Sequence, residues 1–176
     1  LSRLNSIIES QSVNAVIHAA AIADADRCEE EPDLAHRINA VCTGKIAKMA
    51  DEHKIRFIYI STDLVYGKGT GPFTEKDAYP TMIYSQSKYE GERMALTWNA
   101  DSIVLRCALM FGFDDTRHKS FVRRMHDTLQ QGGELKLFTD QYRTAIWAPD
   151  IANAIDLILM NRELRGIYNL GGPDRL

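Results

Sequence analysis

Tyr84 and Lys88 stand four residues apart in Tyr84-Ser85-Gln86-Ser87-Lys88. On a helix that step puts both side chains on one face, one turn apart. Reduction of a carbonyl needs an acid to protonate the oxygen as charge builds on it. A free tyrosine, with a pKa of about 10, is a poor base near neutral pH. An ammonium one turn away favours the phenolate and is expected to lower that value. The same spacing also suits a tyrosine at the edge of the core with a solvated lysine, so the surroundings decide. Upstream, Ile58-Tyr59-Ile60 leads into Ser61-Thr62-Asp63, which sets hydroxyls and a carboxylate just past an apolar run. Earlier still, His18 is followed by Ala19, Ala20 and Ala21. Side chains that small let a flat ligand lie against backbone, although they equally suit tight core packing.

These residues need elements to hold them. Apolar runs alternate with helical patterns, which signals an α/β fold with a parallel sheet. Leu1 to Gln11 reads as the end of a helix, and Ala15–His18, Arg56–Ile60 and Ser102–Arg106 read as strands. Glu31-Pro32-Asp33 opens a helix expected to run to about Glu52, since proline suits the first turn and acids suit the positive end of the dipole. A loop rich in Gly and Pro spans Gly67 to Pro80, and a second long helix covers roughly Met82 to Trp98. Beyond it the pattern predicts a helix over Ser120–Gln131 stopped by Gly132-Gly133, and a short strand at Leu135–Phe138. A helix at Pro149–Met160 and a last strand at Ile167–Leu170 complete the prediction. Thr62 and Ala19 then fall past the carboxyl ends of strands, where open α/β sheets bind ligands.

A chain of 176 residues suffices for one domain with a hydrophobic core. Its net charge of -3 gives no sign of a nucleic-acid or membrane partner. No apolar run approaches a membrane span, and the first residues do not resemble a signal peptide. Cys28, Cys42 and Cys107 are odd in number and widely spaced. That argues against a disulfide framework or a zinc site, so reduced thiols in a cytoplasmic protein without a metal are expected.

Five features recur in a telling order: a strand followed by Ala19-Ala20-Ala21, then Asn39 on a helix, then Ser61-Thr62-Asp63, then Tyr84-Ser85-x-Ser87-Lys88-x-x-Gly91-Glu92, then Leu105-Arg106 with Phe111-Gly112. With these the whole chain resembles the extended short-chain dehydrogenase/reductases, and within them the dTDP-4-dehydrorhamnose reductase group. The resemblance implies a Rossmann-type, doubly wound parallel sheet, partial here, over residues 1–112. Residues 113–176 would contribute to a smaller C-terminal substrate-binding region. It also implies NADP or NAD as cofactor and a nucleotide sugar as substrate. Tyr84 then resembles the catalytic acid/base, Lys88 the residue that tunes it and holds the nicotinamide ribose, and Thr62 the hydroxyl that grips the substrate carbonyl oxygen. Asp63 and Arg143 match substrate positions, Arg143 through its fork of donors for a nucleotide diphosphate. Ala19, Ala20, Ala21, Asn39, Ile60, Ser61 and Leu109 join Tyr84 and Lys88 on the cofactor side, with Met110 beside Leu109. Asn39 is usually structural in such proteins, Gly91 is expected to permit close helix packing, and Arg106 suits a salt bridge as well as catalysis. Homodimerisation through the helices opening at Pro32 and Met82 is a further expectation of the resemblance.

The chain also departs from its group. Leu109 stands where rhamnose-type reductases carry a tryptophan, and Leu64-Val65-Tyr66-Gly67 has the form common in nucleotide-sugar epimerases and dehydratases. Asp63 is followed by Leu64 rather than a second acid, which disfavours dehydration. Reduction of a keto-sugar nucleotide is the leading expectation. A nucleotide-sugar epimerase, or a cofactor-binding regulatory subunit like the methionine adenosyltransferase beta subunit, are the alternatives. No Gly-x-x-Gly-x-x-Gly loop is present to hold a pyrophosphate, and Gly67-Lys68-Gly69-Thr70-Gly71 follows the wrong strand. The 176-residue chain is therefore expected to bind dinucleotide weakly or not at all. It opens inside a helical pattern, closes on Gly171-Gly172-Pro173-Asp174, and shows three parallel strands before the pattern loosens, where about six are usual. These features lead to the expectation of a fragment.

Overall fold

A computed structural model describes residues 1–112, 121–138 and 140–175. In chain order its elements are α1 (Ser2–Ser10), β1 (Ala15–His18), α2 (Ala25–Glu30) and α3 (Pro32–His36). A π-helical turn (Arg37–Cys42) joins α3 to α4 (Thr43–Glu52). Then come β2 (Arg56–Thr62), α5 (Ile83–Trp98), β3 (Ile103–Cys107) and β4 (Met110–Phe111). The chain continues through α6 (Phe121–Gln130), β5 (Ile146–Trp147), α7 (Ala148–Met160) and β6 (Gly166–Leu170).

The central sheet has the order β1-β2-β3-β6, and every pair in it is parallel. Register follows from hydrophobic alternation: Ile17 lies beside Ile58 and Ile58 beside Ile103, while His18 lies beside Tyr59 and Tyr59 beside Val104. One face carries Phe57, Tyr59 and Val104, covered by Ile8 of α1, Ile46 and Ala47 of α4, and Ala95 of α5. The other carries Ile58, Ile103, Leu105 and Cys107, covered by Ile151 and Ile158 of α7. Each of the Ile, Leu, Val and Phe side chains among them, taken out of water, stabilises the fold by roughly 1.5–3 kcal/mol before entropy is counted.

The strand expected at Ile167–Leu170 is present as β6, and it joins the sheet beside β3 as a fourth parallel strand where the expectation counted three. The second of the two expected segments thus supplies a strand to the sheet of the first. Leu135–Phe138 is not a strand. Leu137 and Phe138 are 63% and 74% exposed, so their alternation has no core to face. The helix from Pro32 is interrupted by the π turn. There the Asn39 carbonyl accepts from the Thr43 hydroxyl at 2.8 Å and the Tyr59 phenol at 3.1 Å, extra donors that accompany the wider turn. The helix expected from Ser120 has its first residue outside the described ones and runs over α6.

Gly91 lets α5 approach this turn. A Cβ on it would sit 2.3 Å from the Asn39 carbonyl oxygen, so only glycine fits where the two helices meet.

Candidate active site

The carboxyl edge of the sheet gathers the expected residues. Beyond β1, Ala19 and Ala20 are exposed and Ala21 is half-buried. Past the end of β2 comes Asp63, and past the end of β3 come Ala108 and the half-buried Leu109, with exposed Met110 in β4. Helix α5 crosses behind β2 and delivers Tyr84, Lys88 and Glu92 at successive four-residue steps.

Lys88 is 2% exposed. Its Nζ donates to the Ile60 carbonyl at 2.6 Å and lies 4.1 Å over the Tyr59 ring. Burial brings this ammonium down to about 8, with Glu92 opposing. Ile60 therefore meets Lys88 through its backbone. Tyr84 is half-buried, and burial pushes its phenol up, with the Thr62 hydroxyl beside it opposing. The expectation that Lys88 lowers this phenol is corrected: burial is the largest influence and raises it, and the opposing group is the Thr62 hydroxyl rather than Lys88. A tyrosine held this way keeps its proton at neutral pH and suits the role of donor.

Thr62, 7% exposed, accepts from Leu64 N at 3.2 Å. Next to it, Asp63 is met by Arg143, whose Nη1 lies 3.2 and 3.4 Å from the two carboxylate oxygens. Burial raises the Asp63 carboxyl and Arg143 partly offsets this. These two, 80 residues apart in sequence, line one cleft of about 1030 Å³ together with Tyr66, Thr81, Tyr142 and Arg175. Thr62, Tyr84 and Lys88 are not part of that lining.

Other expected residues face inward. The Ser61 hydroxyl donates to Glu92 Oε1 in the interior. Asn39 is fully buried: its Oδ1 accepts from Ile22 N at 2.9 Å, and its Nδ2 donates to Ile22 O and to Ser87 Oγ, both at 3.0 Å. Ser87 in turn donates to the Tyr84 carbonyl at 2.8 Å. Asn39 thus ties the segment after β1 to α5. Arg106, 2% exposed, donates through Nε and Nη2 to Glu92, with a shortest contact of 2.7 Å, and through Nη1 to Tyr66 Oη and the Glu75 carbonyl. Of its two expected roles, the salt bridge is the one its geometry fills.

His18 was not read as a site residue from sequence. It stacks on Phe57 and Tyr59, and its Nε2 lies 3.0 Å from Thr43 Oγ1. Because Thr43 donates its own proton to Asn39 O, the network assigns the imidazole proton to Nε2. Burial and the Lys88 charge hold this histidine neutral, down at about 4. Glu92 was visible as the next turn after Lys88 on one helix face, but its partner Arg106 lies on a strand and no local spacing pairs them.

Comparison with known proteins agrees with this architecture. Residues 1–175 match the RmlD substrate binding domain family. The probable low-salt glycan biosynthesis reductase Agl14 of Haloferax volcanii is 31% identical over 172 residues, 96% of this chain and 57% of that protein. A dTDP-4-dehydrorhamnose reductase of Aggregatibacter actinomycetemcomitans is 32% identical over 174 residues, 95% of this chain and 58% of that protein. Among solved structures, a dTDP-4-dehydrorhamnose reductase of Bacillus anthracis in complex with NADP superposes with a TM-score of 0.88. It is 25% identical, and the match covers 99% of this chain and 61% of that one. The chain spans somewhat more than half the length of the curated relatives it matches. With Thr62, Tyr84 and Lys88 gathered around the end of one parallel strand and a match over residues 1–175, the chain belongs to the RmlD substrate binding domain family.

Proposed function

We propose that the protein is an NAD(P)H-dependent oxidoreductase that reduces the carbonyl of a keto-sugar nucleotide, in the manner of the dTDP-4-dehydrorhamnose reductases it is similar to. The observation that carries this reading is the Tyr84 phenol beside the Thr62 hydroxyl, with Lys88 Nζ fixed on the Ile60 carbonyl of the same strand end.

The residues at hand fit a nicotinamide cofactor. Lys88 uses one N–H on Ile60 O, which leaves donors for the hydroxyls of a ribose. Ala19 and Ala20 offer exposed, methyl-sized surface for flat rings. When bound, such a cofactor supplies a hydride. Thr62 holds the carbonyl oxygen of the substrate by donating a hydrogen bond to it. Tyr84 gives its proton to that oxygen as negative charge develops there, which completes the alcohol. The Lys88 ammonium steadies the phenolate left behind until solvent reprotonates it. Asp63 accepts from sugar hydroxyls, and Arg143 presents paired donors to the diphosphate.

The test is NADPH oxidation with dTDP-4-dehydrorhamnose by the protein as its gene encodes it. Turnover is expected, with a loss of about 100-fold or more in Tyr84→Phe. A folded protein that oxidises NADPH with no keto-sugar nucleotide sinks the reading.

A further inference from the structure

Met82 stands at the N-cap of α5 and has no side-chain oxygen with which to cap it. The first turn of a helix leaves N–H groups without intrahelical partners. Ser85 Oγ bonds back to Met82 N at 3.2 Å, which does nothing for the N–H of Ile83. That group donates instead to Glu29 Oε1 at 2.8 Å, on α2, 54 residues earlier in the chain. A carboxylate is favoured there both as an acceptor and by the helix dipole. Helix α2 is itself anchored, since Asp24 Oδ1 accepts from Arg27 N at 3.1 Å and Cys28 is fully buried. Ile22, Cys28 and Ala35 form a small cluster against which Ile83 and Tyr84 pack. This hydrogen bond, added to the packing of that cluster, ties the element that follows Ala19–Ile22 to the residue just before Tyr84.

We propose that Glu29 is a positioning residue: its carboxylate fixes the first turn of α5 and thereby sets how deeply the Tyr84 phenol sits beside Thr62. Its purpose rests on Tyr84 being the proton donor proposed above; its test does not.

The experiment compares the full chain with Glu29→Ala and Glu29→Gln by NMR. It reads amide exchange at Ile83 and the titration of the Tyr84 phenol, whose signal is identified by its loss in Tyr84→Phe. In Glu29→Ala, exchange at Ile83 is expected to rise about tenfold. Tyr84 is expected to titrate lower than in the wild type, because a frayed turn admits water to the phenol and relieves the burial that raises it. Glu29→Gln keeps an acceptor oxygen and should restore most of both. Unchanged exchange in Glu29→Ala overturns the cap. Faster exchange with an unmoved Tyr84 titration overturns the positioning role. Neither readout needs turnover, so absence of reductase activity strikes the function proposed above and leaves this test intact.

Discussion

Replacing Gly91 with alanine forces a methyl group into occupied space. The new Cβ would lie 2.3 Å from the Asn39 carbonyl oxygen and 2.7 Å from the Tyr59 hydroxyl. An ordinary C···O approach is about 3.3 Å, so α5 or the π turn must retreat by about 1 Å. The obstacle is backbone, and no rotamer change relieves it. Overpacking of this kind costs about 1–3 kcal/mol. Breaking the bond from Tyr59 to Asn39 O adds about 1 kcal/mol, which the better helix propensity of alanine offsets by a similar amount. The net loss is about 1–3 kcal/mol, or a Tm lowered by about 2–12 °C for a chain of this size. Gly44→Ala is the control on the same helix pair. Its Cβ would meet Met94 Cβ at 3.0 Å and Trp98 Cδ1 at 3.3 Å, so a shift of only a few tenths of an ångström is needed, by Trp98 turning and by α5 carrying Met94 Cβ back. Thermal melts followed by circular dichroism should show a drop for Gly91→Ala at least twice that for Gly44→Ala. A Gly91→Ala protein as stable as the wild type, or equal losses in the two variants, refutes the packing argument.

Glu92→Gln leaves the Arg106 guanidinium buried without its counter-charge, and urea unfolding should show a loss of about 3–5 kcal/mol. A loss below about 1 kcal/mol contradicts that view of the pair. His18 is held at about 4 against an ordinary 6.5. Its contribution to stability is therefore complete above pH 6.5 and is lost as the pH falls toward 4. His18→Asn keeps a donor for Thr43 and should flatten that part of the plot of Tm against pH; an unchanged slope assigns it to other groups. Lys88, held at about 8 against 10.5, weakens the fold below pH 8, and this penalty fades as the pH rises to 10.5. Lys88→Met should consequently melt higher than wild type at neutral pH, with the gap closing across that window. A melt below wild type at pH 7 shows that the bond to Ile60 O outweighs burial of the charge.

Period and punctuation made much of this fold legible. Strands over Ala15–His18 and Arg56–Ile60 and the helix through Tyr84 and Lys88 follow from apolar spacing, and the structure extends or trims them by a residue or two. What local pattern leaves out is long-range. The π turn depends on Tyr59 reaching Asn39 from another element. Helix α2 is short and polar, and only its Asp24 cap announces it. Strands β4 and β5 have two residues each, too few for any period. The meeting of Asp63 with Arg143 comes from tertiary folding, although each residue type pointed to a ligand by itself. For the Tyr84 phenol, spacing places Lys88 one turn away but does not reveal that burial is the largest influence on it.

The loop between β2 and α5 is riveted at its later half. Arg106 holds the Glu75 carbonyl, Asn169 N donates to Glu75 Oε1, Asn169 Nδ2 donates to the Phe73 carbonyl, and Thr74 is closed on Asp77. Gly69, Thr70 and Gly71, ahead of these rivets, sit on the cleft wall. Mutational drift therefore has a protected place to act. Gly69 and Gly71 have positive φ and resist side chains, so change at this tip falls on Thr70 or on loop length, while the frame that carries Thr62, Tyr84 and Lys88 stays in register. What the cleft admits can change there one loop variant at a time, without first disturbing the packing around those three residues.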